Sequence, residues 1–140
     1  MLGNQATLSR PRLTDEERAA LYSLCEEVID AVYEVANTLG PGFLEKVYEQ
    51  ALLRELTLRS IRAETQVPIP VLYKGAPVGT YFCDLLVEGR LIVELKCVDR
   101  FADEHMAQCL NYLTATGFRM CLLVNFQHAK VRWERVILNL

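Results

Sequence analysis

Apolar positions recur along the chain with two periods, and the places where the period changes divide it into elements. Leu21, Leu24, Cys25, Val28, Ile29, Val32 and Ala36 follow the three-to-four spacing of one helix face. Thr14 with Glu17 three residues on is a capping-box pattern, and Gly40-Pro41-Gly42 stops the repeat, which predicts a first helix from Thr14 to about Leu39. Leu44, Val47, Tyr48, Ala51, Leu52 and Leu56 predict a second helix over about 43–59. The period then drops to two, with Val67, Ile69, Val71 and Tyr73 on one face of a strand. Pro68 and Pro70 remove N–H groups from a single edge of that strand, so it is expected to be an edge strand or a bulged one. After a turn at Lys74-Gly75-Ala76-Pro77, strands over 79–87 and 91–97 are expected to pair antiparallel. Met106, Cys109, Leu110 and Leu113 mark a third helix, with Asp103 as its N-cap and Gly117 as its end, and strands over 120–126 and 130–138 complete the chain. The order ααβββαββ implies an α/β fold, a mixed β-sheet flanked by helices, with the third helix as a right-handed crossover.

Composition places limits on this picture. The 140 residues are 51% apolar and 24% charged, enough for one soluble domain with a real core, here residues 14–140 behind a flexible N-terminal arm at 1–13. No apolar run approaches the length of a membrane span, and the first residues lack the apolar stretch of a signal peptide, so a cytoplasmic protein without membrane contact is expected. The five cysteines include no CxxC pair and are odd in number, which favours reduced core thiols over a zinc site or a disulfide framework. A net charge of −3 argues against coating nucleic acid with bulk positive charge. It leaves room for a local basic rim beside an acidic site.

Chemistry concentrates at YFCDLLVEGRLIVELKC, residues 81–97, where Asp84, Glu94 and Lys96 interrupt two apolar strands. Burying a charge is costly unless it is paired or bound to a metal, so these residues either satisfy one another or form a site. Glu94 and Lys96, two apart, leave one face of their strand. Whether Asp84 joins them depends on the turn. A two-residue loop at Glu88-Gly89 sets Asp84 opposite Val93 and turns it to the other face. A three-residue loop, or a bulge beside Gly89, sets it opposite Glu94, and that geometry is predicted here. Two adjacent carboxylates repel each other, and a hard divalent cation such as Mg²⁺ would remove the conflict. The alternative is a buried Asp/Glu–Lys ion-pair network without chemistry.

Asp84, nine residues, then Glu94-Leu95-Lys96 resembles the signature of the PD-(D/E)XK nuclease superfamily. Gly42-Phe43-Leu44-Glu45-Lys46-Val47-Tyr48 resembles the motif that names its GxxExxY family, and the flanking NTLGPGFLEKVYEQAL and QVPIPVLYKG segments look similar to that family too. The resemblance spans about Tyr22 to Asn139. It implies a restriction-endonuclease-like fold and metal-dependent hydrolysis of nucleic-acid phosphodiester bonds by a metal-activated water, with DNA expected ahead of RNA and Mg²⁺ or Mn²⁺ as cofactor. By the same resemblance Asp84, Glu94 and the Leu95 main-chain carbonyl are metal ligands, Lys96 is the catalytic lysine, and Glu45 is a helix acid near the metal, directly or through water. Gln108 and Tyr112 match the Q-x-x-x-Y helix motif of RecB-like relatives, with His105 a neighbour. Glu45, Gln108 and Tyr112 are expected to converge on the face that carries Glu94.

Other residues carry weaker signals. The Tyr48 ring reads as core packing, while its hydroxyl could bond an acid of the site. His128 reads as a loop histidine and Trp133 as packing. Arg54, Arg59, Arg62 and the Arg10/Arg12 arm are candidate phosphate contacts, against the simpler reading of solvated surface charge. The second functional reading is a non-catalytic nuclease-fold binding or assembly module, pairing as a homodimer through the proline-bearing edge or the last strand.

Overall fold

The change of period after the second apolar stripe is where helices give way to sheet. The computed structural model describes residues 11–140. Its elements are α1 (Asp15–Leu39), α2 (Glu45–Leu58), β1 (Ala63–Tyr73), β2 (Ala76–Val87), β3 (Leu91–Lys96), α3 (Asp103–Thr116), β4 (Met120–Asn125) and β5 (Arg132–Ile137), the ααβββαββ order. Most of the arm assigned to 1–13, Arg10 included, lies outside the described residues.

Local signals account for the helix boundaries. The Thr14 hydroxyl accepts the Glu17 N–H at 3.1 Å, and the Glu17 carboxylate accepts the Thr14 N–H at 2.9 Å, closing the capping box. Gly40, with φ of 72°, ends α1 in a conformation that costs a side chain dearly. At α3 the N-cap is Ala102, and Asp103 is the first helical residue. There the His105 ring reaches back to accept the Ala102 N–H at 3.0 Å, which satisfies a donor that a short capping side chain would otherwise not reach.

The strands form one sheet in the order β1-β2-β3-β4-β5, antiparallel except for the parallel β3–β4 pair that α3 bridges. β1 is an edge strand, and its register shifts between Val71 and Leu72, so the proline pattern marks both an edge and a bulge. Helices α1 and α2 pack on one face over Leu85, Val87, Leu91, Val93, Leu95, Met120, Leu122 and Val124. Helix α3 packs on the other over Ile92, Cys121, Leu123 and Val136. Cover on both faces is why β3 and β4 read as nearly continuous apolar runs. It also gives any charge at Glu94 a dry environment.

Trp133 and Tyr48 belong to this framework. The Trp133 indole N–H donates to the Tyr33 hydroxyl at 3.3 Å, and Arg135 lies over its ring, tying β5 to α1. Tyr48 is fully buried and stacks on Phe126 at 4.4 Å. Its hydroxyl donates to the Gly40 carbonyl at 2.6 Å and accepts the Phe43 N–H at 3.3 Å. The hydroxyl therefore pins the α1–α2 loop and does not face the acids, because the backbone groups of that loop have no helical partner.

Candidate active site

The turn after β2 decides whether the acids meet. Val87 pairs with Leu91, Leu86 with Ile92 and Leu85 with Val93, leaving Glu88, Gly89 and Arg90 as a three-residue loop. Glu88 and Gly89 both take positive φ, 50° and 66°, and the Arg90 N–H closes on the Val87 carbonyl at 3.1 Å. The same index sum places Asp84 opposite Glu94, as the sharing of one site requires.

At that position side chains replace the main-chain ladder. The Asp84 N–H donates to Glu94 Oε1 at 2.8 Å, and the Leu95 N–H donates to Asp84 Oδ2 at 2.8 Å. Each carboxylate is thereby held by the other strand. Within a strand the carbonyl leaves on the same side as its own N–H, so the Leu95 carbonyl also points toward β2 and Asp84.

The electrostatics are unrelieved. Glu94 is 4% exposed, and burial, then the Asp84 charge, push its carboxyl up to about 8. Asp84 is also raised, first by burial and then by the charges of Glu49 and Glu45, against a lowering contribution from the Leu95 N–H. Lys96 lies two residues beyond Glu94 and draws its value down, yet it forms no ion pair among the described residues. The charges in this strand pair do not neutralise one another.

The surrounding side chains arrive from opposite sides of the sheet, not on the single face expected. From the α2 side, Glu45, Lys46, Glu49 and Gln66 line an open cavity of roughly 230 Å³ with Asp84. Glu45 accepts the Cys97 N–H at 3.1 Å, which holds it at the end of β3. No three His, Cys, Asp or Glu side chains among the described residues gather closely enough to hold a metal ion. Asp84 and Glu94 are the two acids that meet where β2 and β3 pair, each bonded to a main-chain N–H of the other strand, and Glu45 lines the cavity with Asp84. From the α3 side comes Tyr112, 3% exposed, whose phenol is raised by burial and then by the Glu94 and Asp84 charges. It keeps its proton and remains a donor at neutral pH. Gln108 instead lines a shallow depression with Tyr81, Glu104, Asn111 and Tyr112. His105 is occupied by the α3 N-terminus, and His128 meets the Asp99 carbonyl at 2.6 Å in the loop before β5.

Two residues of this site were not legible as such. Glu49 follows Glu45 by one helical turn, a spacing that puts both acids on one face of α2 and that could have signalled it. Gln66, in β1, takes φ of 52°, and its side chain donates to Glu49 at 2.6 Å and to Asp84 at 3.3 Å. Nothing in the residue type foretells that conformation.

The arginines divide. Arg59 pairs with Glu55 and Asp30, both at 2.7 Å, as a surface brace. The Arg62 N–H bonds Glu88 at 2.7 Å, and the Arg54 and Arg12 side chains are exposed. A different basic group gathers at the loops beside the ends of β3, β4 and β5. Arg132 pairs with Asn125, and Asn125 with Lys96, in one row across β5, β4 and β3. Arg100, His128 and Lys130 share with Arg132 and Asn125 a wide concavity of roughly 620 Å³.

No helix of the described residues is long and apolar enough to cross a membrane. Comparison with known proteins completes the picture. A search of curated proteins returns no match. The protein SSO0001, known from its crystal structure, is similar in fold, with a TM-score of 0.50 at 20% identity over 89% of this chain and 63% of that one. An alkaline exonuclease from Laribacter hongkongensis aligns with a TM-score of 0.48 at 16% identity, over 66% of this chain and 55% of its own. The chain therefore spans less than two thirds of the length of either protein. The mixed five-stranded sheet between helix layers is restriction-endonuclease-like. The model of the PD-(D/E)XK nuclease superfamily matches residues 22–136, a stretch that carries α2, the β2–β3 acids and α3 together, and the chain belongs to that superfamily.

Proposed function

We propose that the protein is a metal-dependent nuclease of the GxxExxY branch, acting in the cytoplasm on phosphodiester bonds of nucleic acid, with DNA the first substrate to test. One observation carries the reading. Two opposed carboxylates, Glu94 buried and Asp84 half-buried, lie beside a lysine that forms an ion pair with neither, and the Glu94 carboxyl is pushed up to about 8. A structural ion-pair network would have used Lys96 to cancel them. Left as they are, the carboxylates suit a divalent cation, whose charge removes their repulsion.

The donor set fits such an ion. Asp84, Glu94 and the Leu95 carbonyl would hold part of the shell of a hard cation such as Mg²⁺ or Mn²⁺, leaving positions for water and phosphate oxygens. When bound, the cation supplies Lewis acidity toward the phosphate and its water. The chain's own residues do the remaining work. The Asp84 and Leu95 N–H groups fix the two carboxylates, so little reorganisation is needed on binding. In this reading Lys96, two residues beyond Glu94 on β3, steadies charge on the phosphate. The Tyr112 hydroxyl, kept protonated, is a second donor beside the acids. Arg132, Arg100 and Lys130 offer a path for the phosphates on one side of the break, and Asn125, buried with its amide bonded to Val98 and Gln127, is a structural link in the row between Arg132 and Lys96.

The test is a panel of defined single- and double-stranded DNA and RNA oligonucleotides with Mg²⁺, Mn²⁺ or EDTA. Metal-supported cleavage that EDTA abolishes is expected. Cleavage of equal rate in EDTA, or none on any substrate with either metal, refutes the reading.

A further inference from the structure

We infer that Gln66 is a positioning residue for Asp84: its left-handed backbone takes both residues out of the β1–β2 ladder, and its amide then ties Asp84 to Glu49. The inference rests on the reading of Asp84 as part of a nuclease site. Its evidence begins in the backbone. Among the described non-glycine residues with positive φ, Ser60, Lys74, Glu88 and Asn139 lie outside the strands, and Gln66 alone sits within one. A side chain in this conformation is strained, and such strain persists only where its surroundings impose it. Glutamine lacks the short side chain that lets Asn or Asp adopt it readily.

The strain has a visible effect on the sheet. Thr65 pairs with Leu85 and Val67 with Cys83, while Gln66 and Asp84, opposite each other in that register, make no ladder pair. On either side the faces exchange. Ala63 and Leu85 pack toward α1 and α2, whereas Val67, Ile69 and Cys83 pack toward α3. In a regular strand, residues two apart share a face, so Leu85 and Cys83 could not divide this way. Asp84 occupies the crossing point. That is why its carboxylate can take the Leu95 N–H and also face the cavity beneath α2.

The side chain completes the arrangement. Gln66 Nε2 donates to Glu49 Oε1 at 2.6 Å and to Asp84 Oδ1 at 3.3 Å. Glu49 is a fixed anchor, since its other oxygen accepts from Lys46 at 2.7 Å and from Gln50 at 3.2 Å. Gln66 is itself exposed, so core packing does not demand its conformation. What the conformation secures is the placement of Asp84.

Two variants separate backbone from amide. Gln66→Gly accepts the observed φ and deletes only the side chain, so it folds in either case. Gln66→Val disfavours the left-handed conformation and pushes Asp84 back toward the ladder. The first readout is hydrogen exchange at the Leu95 amide, which reports the link to Asp84 without reference to cleavage. It should quicken by about tenfold in Gln66→Gly and further in Gln66→Val. The second is metal-supported cleavage, where kcat should fall by up to about 10²-fold in Gln66→Val, as for a misplaced catalytic group, with KM within about twofold. The melting temperature of Gln66→Gly should not fall, because strain is relieved. Unchanged Leu95 protection in Gln66→Gly overturns the inference, as does a kcat loss that merely follows a loss of folded protein. A wild-type chain that cleaves nothing sinks the nuclease reading, and the exchange rates still decide the role of Gln66.

Discussion

Glu49 and Glu94 are both buried, at 3% and 4% exposure, and chemistry treats them in opposite ways. Burial alone would raise Glu49, but hydrogen bonds from Lys46, Gln66 and Gln50 outweigh it and hold the carboxyl below the usual range. Glu94 gains one main-chain N–H, faces a second carboxylate, and is pushed up to about 8. The difference lies in partners, not in depth. Glu49 is a satisfied charge that braces α2 against β1. Glu94 is kept unsatisfied, although Lys96 is two residues away. A charge cluster left open inside a dry sheet is a place where an added cation gains most.

The sharpest way to break this comparison is to remove the open charges. Asp84→Asn, Glu94→Gln and Lys96→Ala should each lower kcat for cleavage by about 10²- to 10³-fold or more, with cooperative melting retained. Single-turnover cleavage of an end-labelled oligonucleotide measures it. Near-wild-type rates in a folded Lys96→Ala protein would falsify its role in the site.

Next in size is a pH effect on stability. The Glu94 carboxyl is raised in the native state, so its protonated form favours folding. That contribution is full below the unfolded value of about 4.5 and is lost as the pH rises through about 8. Melting in EDTA should therefore show a decline on the order of a few kcal/mol between pH 5 and 9. Saturating Mg²⁺ or Mn²⁺ should flatten the decline, and Glu94→Gln should remove it. A profile that is the same in wild type and Glu94→Gln contradicts the assigned burial of that charge.

Glu49 should show the opposite sign. Its carboxyl is lowered in the native state, so its contribution is present above about 4.5 and is lost as the pH falls below that value. Glu49→Gln should cost on the order of 1 to 2 kcal/mol at neutral pH, because Lys46 loses its charged partner, and the cost should shrink toward pH 3. Melting curves of the two proteins between pH 3 and 7 test this. A penalty that grows with acidity would reverse the roles given to the two glutamates.

The fold was largely legible because its signals are local and repeated. The Thr14–Glu17 cap, the Pro68/Pro70 edge and the shift of period after Leu56 each act over a few residues. The turn after β2 was legible for a different reason, since a two-residue loop would set Asp84 opposite Val93, whereas a three-residue loop or a bulge beside Gly89 sets it opposite Glu94, and the three-residue loop is the one found. What the sequence concealed depends on distant neighbours. Tyr48 has a hydroxyl that could have served an acid, and the unpartnered backbone at Gly40 and Phe43 claims it instead. Gln66 adopts a conformation its residue type disfavours, because the whole β1–β2 junction is built around Asp84. The approach of α2 and α3 from opposite faces follows from how the layers stack, which no single segment encodes.

The same contrast between satisfied and open charge extends to the arginines, with the smallest expected effects. Arg59 is closed by Glu55 and Asp30, so Arg59→Ala should leave nucleic-acid affinity unchanged. Arg100, Lys130 and Arg132 are exposed and form no ion pair among the described residues, beside a row that leads to Lys96. Each alanine substitution there should weaken binding only about two- to fivefold at moderate salt, uniformly across sequences. It should also reduce the slope of log affinity against log salt by about one. Fluorescence anisotropy with a Glu94→Gln background, which prevents cleavage, gives both numbers. If Arg59→Ala changes the slope and the three rim variants do not, the phosphate path runs over α1 and α2, and the row from Lys96 to Arg132 is surface charge alone.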